Sequence, residues 1–214
     1  MENLINILNQ SFPLQKRSAE EFEKIKVKGL KFTIQKYYAK GLGNVSLMRA
    51  NGFFGLMKMD TLIINPQKVD LPLYSYDRIY AVGNDTLIVE LYDTLSGDYA
   101  EEHLEQVKEQ YCDLPERDPG AHWYDDIKLK ESLAKKGKKK ETPIYHQIKN
   151  EYFAEYIKAA KAAPHCDIKK KKEKASVYVE GLLSNGGPAA SVFIKNYGAE
   201  KTAAFFREVL FGTK

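Results

Sequence analysis

Apolar residues fall into two periods along the chain, and the switch between them sets out its elements. Leu4, Ile5, Ile7 and Leu8 fit a short helix over 1–10. A second helix is predicted from Ser18, whose hydroxyl can cap free amides, with Glu21 completing a capping box and Gly29 as the stop. From Leu30 the period shortens. Leu30, Phe32, Ile34 and then Tyr38 line one face of a strand, and further strands are predicted near 44–49, 52–64, 73–82 and 86–92. The turn Gly83-Asn84-Asp85 is short, as antiparallel neighbours require. No helix separates these strands, which argues for an antiparallel meander and against a doubly wound nucleotide-binding sheet.

Helical spacing returns at Asp98. Ala100, Leu104, Val107 and Tyr111 share a face there, and Asp98 with Glu101 resembles a cap. Pro115 and Pro119 make 113–120 a loop, and the lysine-rich stretch after Lys128 reads as partly mobile. A helix over 151–163 carries Phe153, Ile157 and Ala160 on one side and stops at Pro164. The run 177–183 fits a helix or a strand equally. Pro188 opens a helix through Tyr197, Gly198 closes it, and 199–211 forms the last. The order implies one α+β domain over 1–214. Its expected architecture is a central antiparallel sheet with helices on both faces, a three-layer α/β/α sandwich.

Composition narrows the class without naming a function. With 214 residues, 43% of them hydrophobic, and 14 tyrosines, the chain can bury a sizeable core. No run reaches the ~18 apolar residues of a membrane span, and the start lacks the basic and long apolar stretches of a secretion signal. Cys112 and Cys166 are far apart and form no metal or redox spacing, so a reducing cytoplasm is the expected compartment. The net charge is only +4, yet lysines cluster: seven over 128–140 and five over 169–174. Such runs are solvated faces or a docking patch for an acidic partner, where complementary charge raises encounter rate more than affinity. Nucleic acid is disfavoured because no aromatics interleave with the lysines. His103, His122, His146 and His165 lack metal-site spacing, although His122 beside Trp123 leaves an axial haem ligand or a surface contact open. Gly186-Gly187-Pro188 reads as a turn.

The most informative stretch is 59–77, where two apolar runs flank a proline-bearing turn and each carries one aspartate. A carboxylate among Leu62, Ile64, Leu73 and Ile79 costs free energy unless it is paired, protonated or used. Pairing Thr61 with Tyr76 would set Asp60 opposite Asp77, Cβ to Cβ about 4.5–5.5 Å apart. One of two like charges so close gains a raised pKa and becomes a proton donor. An edge hairpin with two solvated aspartates fits the same spacing.

The segment Asp70-Leu71-Pro72 with Leu73-Tyr74-Ser75-Tyr76-Asp77 resembles the ferredoxin-dependent bilin reductases, which share a fold with the red chlorophyll catabolite reductases. In that family an aspartate at the place of Asp77 takes part in protonating a linear tetrapyrrole. The run from Thr86 to Thr94 resembles the following strand, and 205–211 the closing helix. Asp60 stands where a phycocyanobilin-forming member carries a histidine, and 44–48 lacks the family's histidine and glutamate. The resemblance implies Asp77 as proton donor, with Asp60 sharing the proton or bonding a pyrrole nitrogen. It implies Arg49, Arg78 and Lys58 as partners for the pigment's propionates. No cofactor is bound in such enzymes; electrons come from reduced ferredoxin or flavodoxin, here at the lysine-rich surface. Tyr74, Tyr76 and Tyr80 alternate away from Asp77 and are expected to pack against helices. A non-catalytic tetrapyrrole-binding protein of the same fold and a basic adaptor domain are the rival readings.

Overall fold

The computed structural model describes residues 1–97, 102–118, 120–187 and 189–214. The predicted cap at Asp98, the loop proline Pro119 and the helix opener Pro188 lie outside the described residues. Helix α1 (Glu2–Ser11) leads to strand β1 (Leu14–Arg17). The predicted second helix is not formed: a 3-10 turn at Glu20–Phe22 gives way to strand β2 (Lys24–Val27). Ser18 accepts a hydrogen bond from the Glu20 amide at 2.9 Å, a local turn that competes with helix initiation. Ile25 and Val27 are buried while Lys24 and Lys26 are exposed, so the period of two prevails and Gly29, at φ 83°, turns a hairpin.

Strands β3 (Leu30–Ala39), β4 (Gly43–Gly52), β5 (Met57–Pro66), β6 (Leu73–Ala81) and β7 (Asn84–Tyr92) follow as an antiparallel meander. The expected strand over 52–64 is interrupted by a 3-10 turn at Phe53–Gly55. The lysine-rich stretch expected to be mobile is strand β8 (Leu133–Lys138), paired with β7. Lysines suit this edge because they discourage another strand from adding to it. The eight-stranded sheet has β1 and β2 side by side along one edge of β3 and β8 at the far edge.

Alternation along the strands gives the sheet two buried faces. Leu62, Ile64, Tyr74, Tyr76, Leu87 and Val89 pack against α1, helix α2 (Glu102–Glu109) and helix α3 (Thr142–Ala162). Phe32, Ile34, Met48, Ile63, Leu73 and Tyr92 meet helix α4 (Ile168–Ser184) and helix α5 (Ala190–Ala204). The fold is therefore an α/β/α sandwich. The run 177–183, ambiguous in the sequence, is part of α4, capped by Asp167, whose side chain accepts from the Lys169 and Lys170 amides. Gly198 kinks α5 at φ 80° instead of ending it, and a π-helical segment (Phe205–Leu210) follows. The hairpin turns at Lys28-Gly29, Phe53–Gly55 and Val82-Gly83 lie at one end of the sheet. The connection between β5 and β6 and the start of α4 lie at the other, joined by Cys166 N–H to the Lys68 carbonyl and Asp167 N–H to Ser96.

Candidate functional site

The register between β5 and β6 differs by one residue from the expected one. Thr61 faces Asp77 and Asp60 faces Arg78, so Asp60 and Asp77 project from opposite faces of the sheet. Burial explains the choice. The observed register stacks Leu62 with Tyr76 and Ile64 with Tyr74, all at most 2% exposed, beneath α3. The slipped register would set Ser75 against Leu62. Tyr74 packs on Tyr156 at 4.6 Å and Phe153 at 5.8 Å, and the Tyr156 hydroxyl donates to the Pro72 carbonyl. The connection is no tight turn either. Asp70 is held by the Ser96 and Gly97 amides, and its own amide donates to the Pro164 carbonyl.

Arg49, Asp60, Arg78 and Lys58 all lie on the α3 face, away from Asp77. Arg78 is buried there. Its guanidinium donates from Nε and Nη2 to the two Asp85 oxygens at 2.5 and 2.6 Å, Thr142 donates to the same carboxylate, and the Tyr145 ring lies 5.2 Å away. Arg78 thus anchors the start of α3. Arg49 is half-exposed, 3.9 Å from both Asp60 and Glu2. Lys58 is exposed. The predicted acid pair and the predicted cation set are therefore not one site with Asp77.

Asp77 instead belongs to a cluster on the α4 face, on two central strands. Its carboxylate accepts from the Thr61 hydroxyl at 2.5 Å. Burial pushes its pKa up to about 6, the Thr61 hydrogen bond and Arg117 pull the other way, and the charge of Glu90 adds to the rise. Glu90 stands opposite Ser75 on β7, two positions along this face from Asp77. A second carboxyl is present after all, on the other neighbouring strand. Tyr92 donates to Glu90 at 2.6 Å and stacks on Tyr178 at 4.3 Å; Tyr124 meets Tyr92 edge-on at 5.6 Å. Burial raises the phenol pKa of Tyr92, Tyr124 and Tyr178, so all three remain neutral donors across the physiological range. Met59, Asp77, Ile79 and Glu90 keep part of their surface accessible although they sit in the middle of the sheet.

Glu90, Arg117, Tyr124 and Tyr178 complete the cluster beyond the residues that the sequence pattern marks. Glu90 had the same signal as Asp77, a lone carboxylate in the apolar run 87–92. Arg117 had none, since it lies between α2 and β8, outside every strand. The loop is fixed by Trp123, whose indole donates to the Gly186 carbonyl at 2.7 Å and lies against Gly181. His122 stacks on Tyr124 at 4.8 Å.

Two cavities are lined by residues of α4, and only the second adjoins this cluster. One of about 280 Å³ includes Asn65, Lys171 and Thr213. A more open cleft of about 590 Å³ runs beside α4, between Leu95, Ile127, Lys174 and Tyr178, and so shares Tyr178 with the cluster around Asp77. The lysine runs are divided. Lys135 is buried and donates to the Leu114 carbonyl. Lys171 is buried too, donating to the Leu71 and Thr94 carbonyls, with burial lowering its pKa to about 8. Lys169, Lys170 and Lys172 are exposed on α4. Among the described residues no three His, Cys, Asp or Glu side chains are grouped to hold a metal ion, and no helix is long and apolar enough to cross a membrane.

No protein-family model and no curated protein matches the sequence. Among solved structures, phytochromobilin synthase from tomato in complex with biliverdin is similar, with a TM-score of 0.76 and 10% sequence identity. The similarity extends over 96% of this chain and 80% of that one. At that identity the likeness is one of fold: this chain is built on the same α/β/α sandwich as phytochromobilin synthase.

Proposed function

We propose that the chain binds a linear tetrapyrrole or a similarly conjugated compound against the Asp77 face of the sheet and reduces it. The observation that carries this reading is a largely buried carboxyl with a pKa of about 6 on the central strands of a fold shared with a biliverdin-holding enzyme. An acid with a pKa near working pH is suited to general acid catalysis. Two one-electron transfers from an acidic donor protein, reduced ferredoxin or flavodoxin, and two protons would saturate one conjugated double bond. Asp77 delivers a proton to the radical anion and is reprotonated from solvent. Lys169, Lys170 and Lys172 would receive the donor beside the cleft at Tyr178. Arg117 takes the propionate-binding part that the resemblance implied for Arg49, Arg78 and Lys58, since it shares a face with Asp77. A cytoplasmic setting fits this donor.

A non-catalytic binder is the second reading, favoured by Thr61, a side chain that does not titrate in the physiological range, as the residue opposite Asp77. Titration with biliverdin, followed by visible absorption, should shift and broaden the pigment band; an unchanged spectrum rejects both readings. Reduced ferredoxin added to the complex should then bleach the long-wavelength band. Asp77→Asn should keep the binding spectrum and slow reduction by roughly 10²–10⁴-fold. Because the protonated acid is the active form, the wild-type rate should fall as pH rises through about 6. Full turnover by Asp77→Asn would assign proton delivery elsewhere, and binding without any reduction would select the binder.

A further inference from the structure

The hairpin end of the sheet carries a surface that pigment chemistry does not use. Phe53, Phe54, Leu56 and Val82 are 52%, 108%, 61% and 80% exposed. They are one continuous patch, because the Val82 amide donates to the Leu56 carbonyl at 3.2 Å and joins the two tips. The neighbouring Lys28-Gly29 turn touches it too, with the Phe53 ring 3.7 Å from where a Gly29 Cβ would stand.

These apolar side chains occupy strained backbone. Phe53, Phe54 and Val82 have φ of 51°, 54° and 49°, a region in which bulky and β-branched residues are outliers. Asn-Gly would make the same turns without that cost. Exposed lysines surround the patch: Lys28, Lys31, Lys58, Lys139 and Lys140. The acids at this end are already engaged, Asp85 by Arg78 and Glu141 by the Lys138 amide and Lys140.

Aromatic tips inside a collar of lysine match the two halves of an anionic bilayer surface, acyl boundary and charged headgroup. We propose that this end is a peripheral docking site for an anionic lipid membrane, with Phe53 and Phe54 as the inserted wedge. Among the described residues no helix is long and apolar enough to span a membrane, and contact through loop tips needs none. The site stands whether or not the chain reduces a pigment.

Full-length protein is sedimented with sucrose-loaded vesicles of phosphatidylcholine alone or with about one third phosphatidylserine. It should pellet with the anionic vesicles, leave the neutral ones largely unbound, and be released by salt. Phe53→Asn combined with Phe54→Gly should lower partitioning at least about tenfold. That pair also relieves the turn, so the thermal midpoint should hold or rise and unfolding would not explain the loss. Lys139→Gln with Lys140→Gln should weaken binding to anionic vesicles only. The proposal is overturned if neither vesicle type binds, if both bind equally, or if the Asn-Gly variant binds as the parent does. It is equally overturned if light scattering finds a dimer that the Asn-Gly variant dissolves, which would make the patch a contact between copies.

Discussion

A carboxyl set among Met59, Ile79 and Ile88 with one hydroxyl donor holds its proton more tightly than in water. In the unfolded chain Asp77 titrates near 3.8, and in the fold near 6. The folded state therefore binds more protons between those values, and the stability associated with this group is complete below about 3.8 and lost as pH rises through 6. Asp77→Asn removes that loss while keeping an acceptor for Thr61. Urea unfolding should find the variant about 1–3 kcal/mol more stable, relative to the parent, at pH 8 than at pH 4. An equal difference at both pH values would mean that the carboxyl is not perturbed. Asp77 was legible in the sequence because a lone acid in an apolar run is a conspicuous cost. Its partners were not: a shift of one residue exchanges every neighbour, and the shift is decided by Tyr74 and Tyr76 packing beneath α3, far along the chain.

Elements with strong local periodicity were legible, including the meander and α1, whereas β2 was misread because Ser18 and Glu21 imitate a helix start. There the alternation Lys24-Ile25-Lys26-Val27 was the better guide, since pairing with β3 rewards it. The fit between α4 and the aromatic loop was hidden altogether. A Cβ on Gly181 would come within 2.1 Å of the Trp123 ring. Gly181→Ala should gain slightly in helix propensity but lose more by displacing the indole, a net destabilisation of about 1–3 kcal/mol. Trp123, the single tryptophan, reports the displacement directly: its emission should move to the red in the native variant. Unchanged emission with unchanged stability would show that the ring is not seated on α4.

The molecule as a whole places one sheet between two cores, so neither helical layer has a surface to fold on without the other's support. Ile63 and Ile64 are adjacent in the chain yet buried in opposite cores. Truncating either to alanine should cost about 2–5 kcal/mol. In both variants Trp123 emission and far-ultraviolet circular dichroism should change in one coincident transition. If Ile63→Ala melted the Trp123 signal ahead of the backbone signal, the chain would be two folding units. Length and element order imply a single domain, which these coincident transitions test; they do not imply how charge is distributed over the surface. Lys135 and Lys171 turned inward as structural donors, a role no count of lysines distinguishes from display.

The sheet's two ends are consequently unlike, one tipped with phenyl rings, the other bearing the ammonium-studded start of α4. A body with such a long-axis polarity has a preferred way up at any oil–water boundary. Resting on its aromatic foot, it would keep the cationic crown turned to the aqueous side, open to traffic from solution.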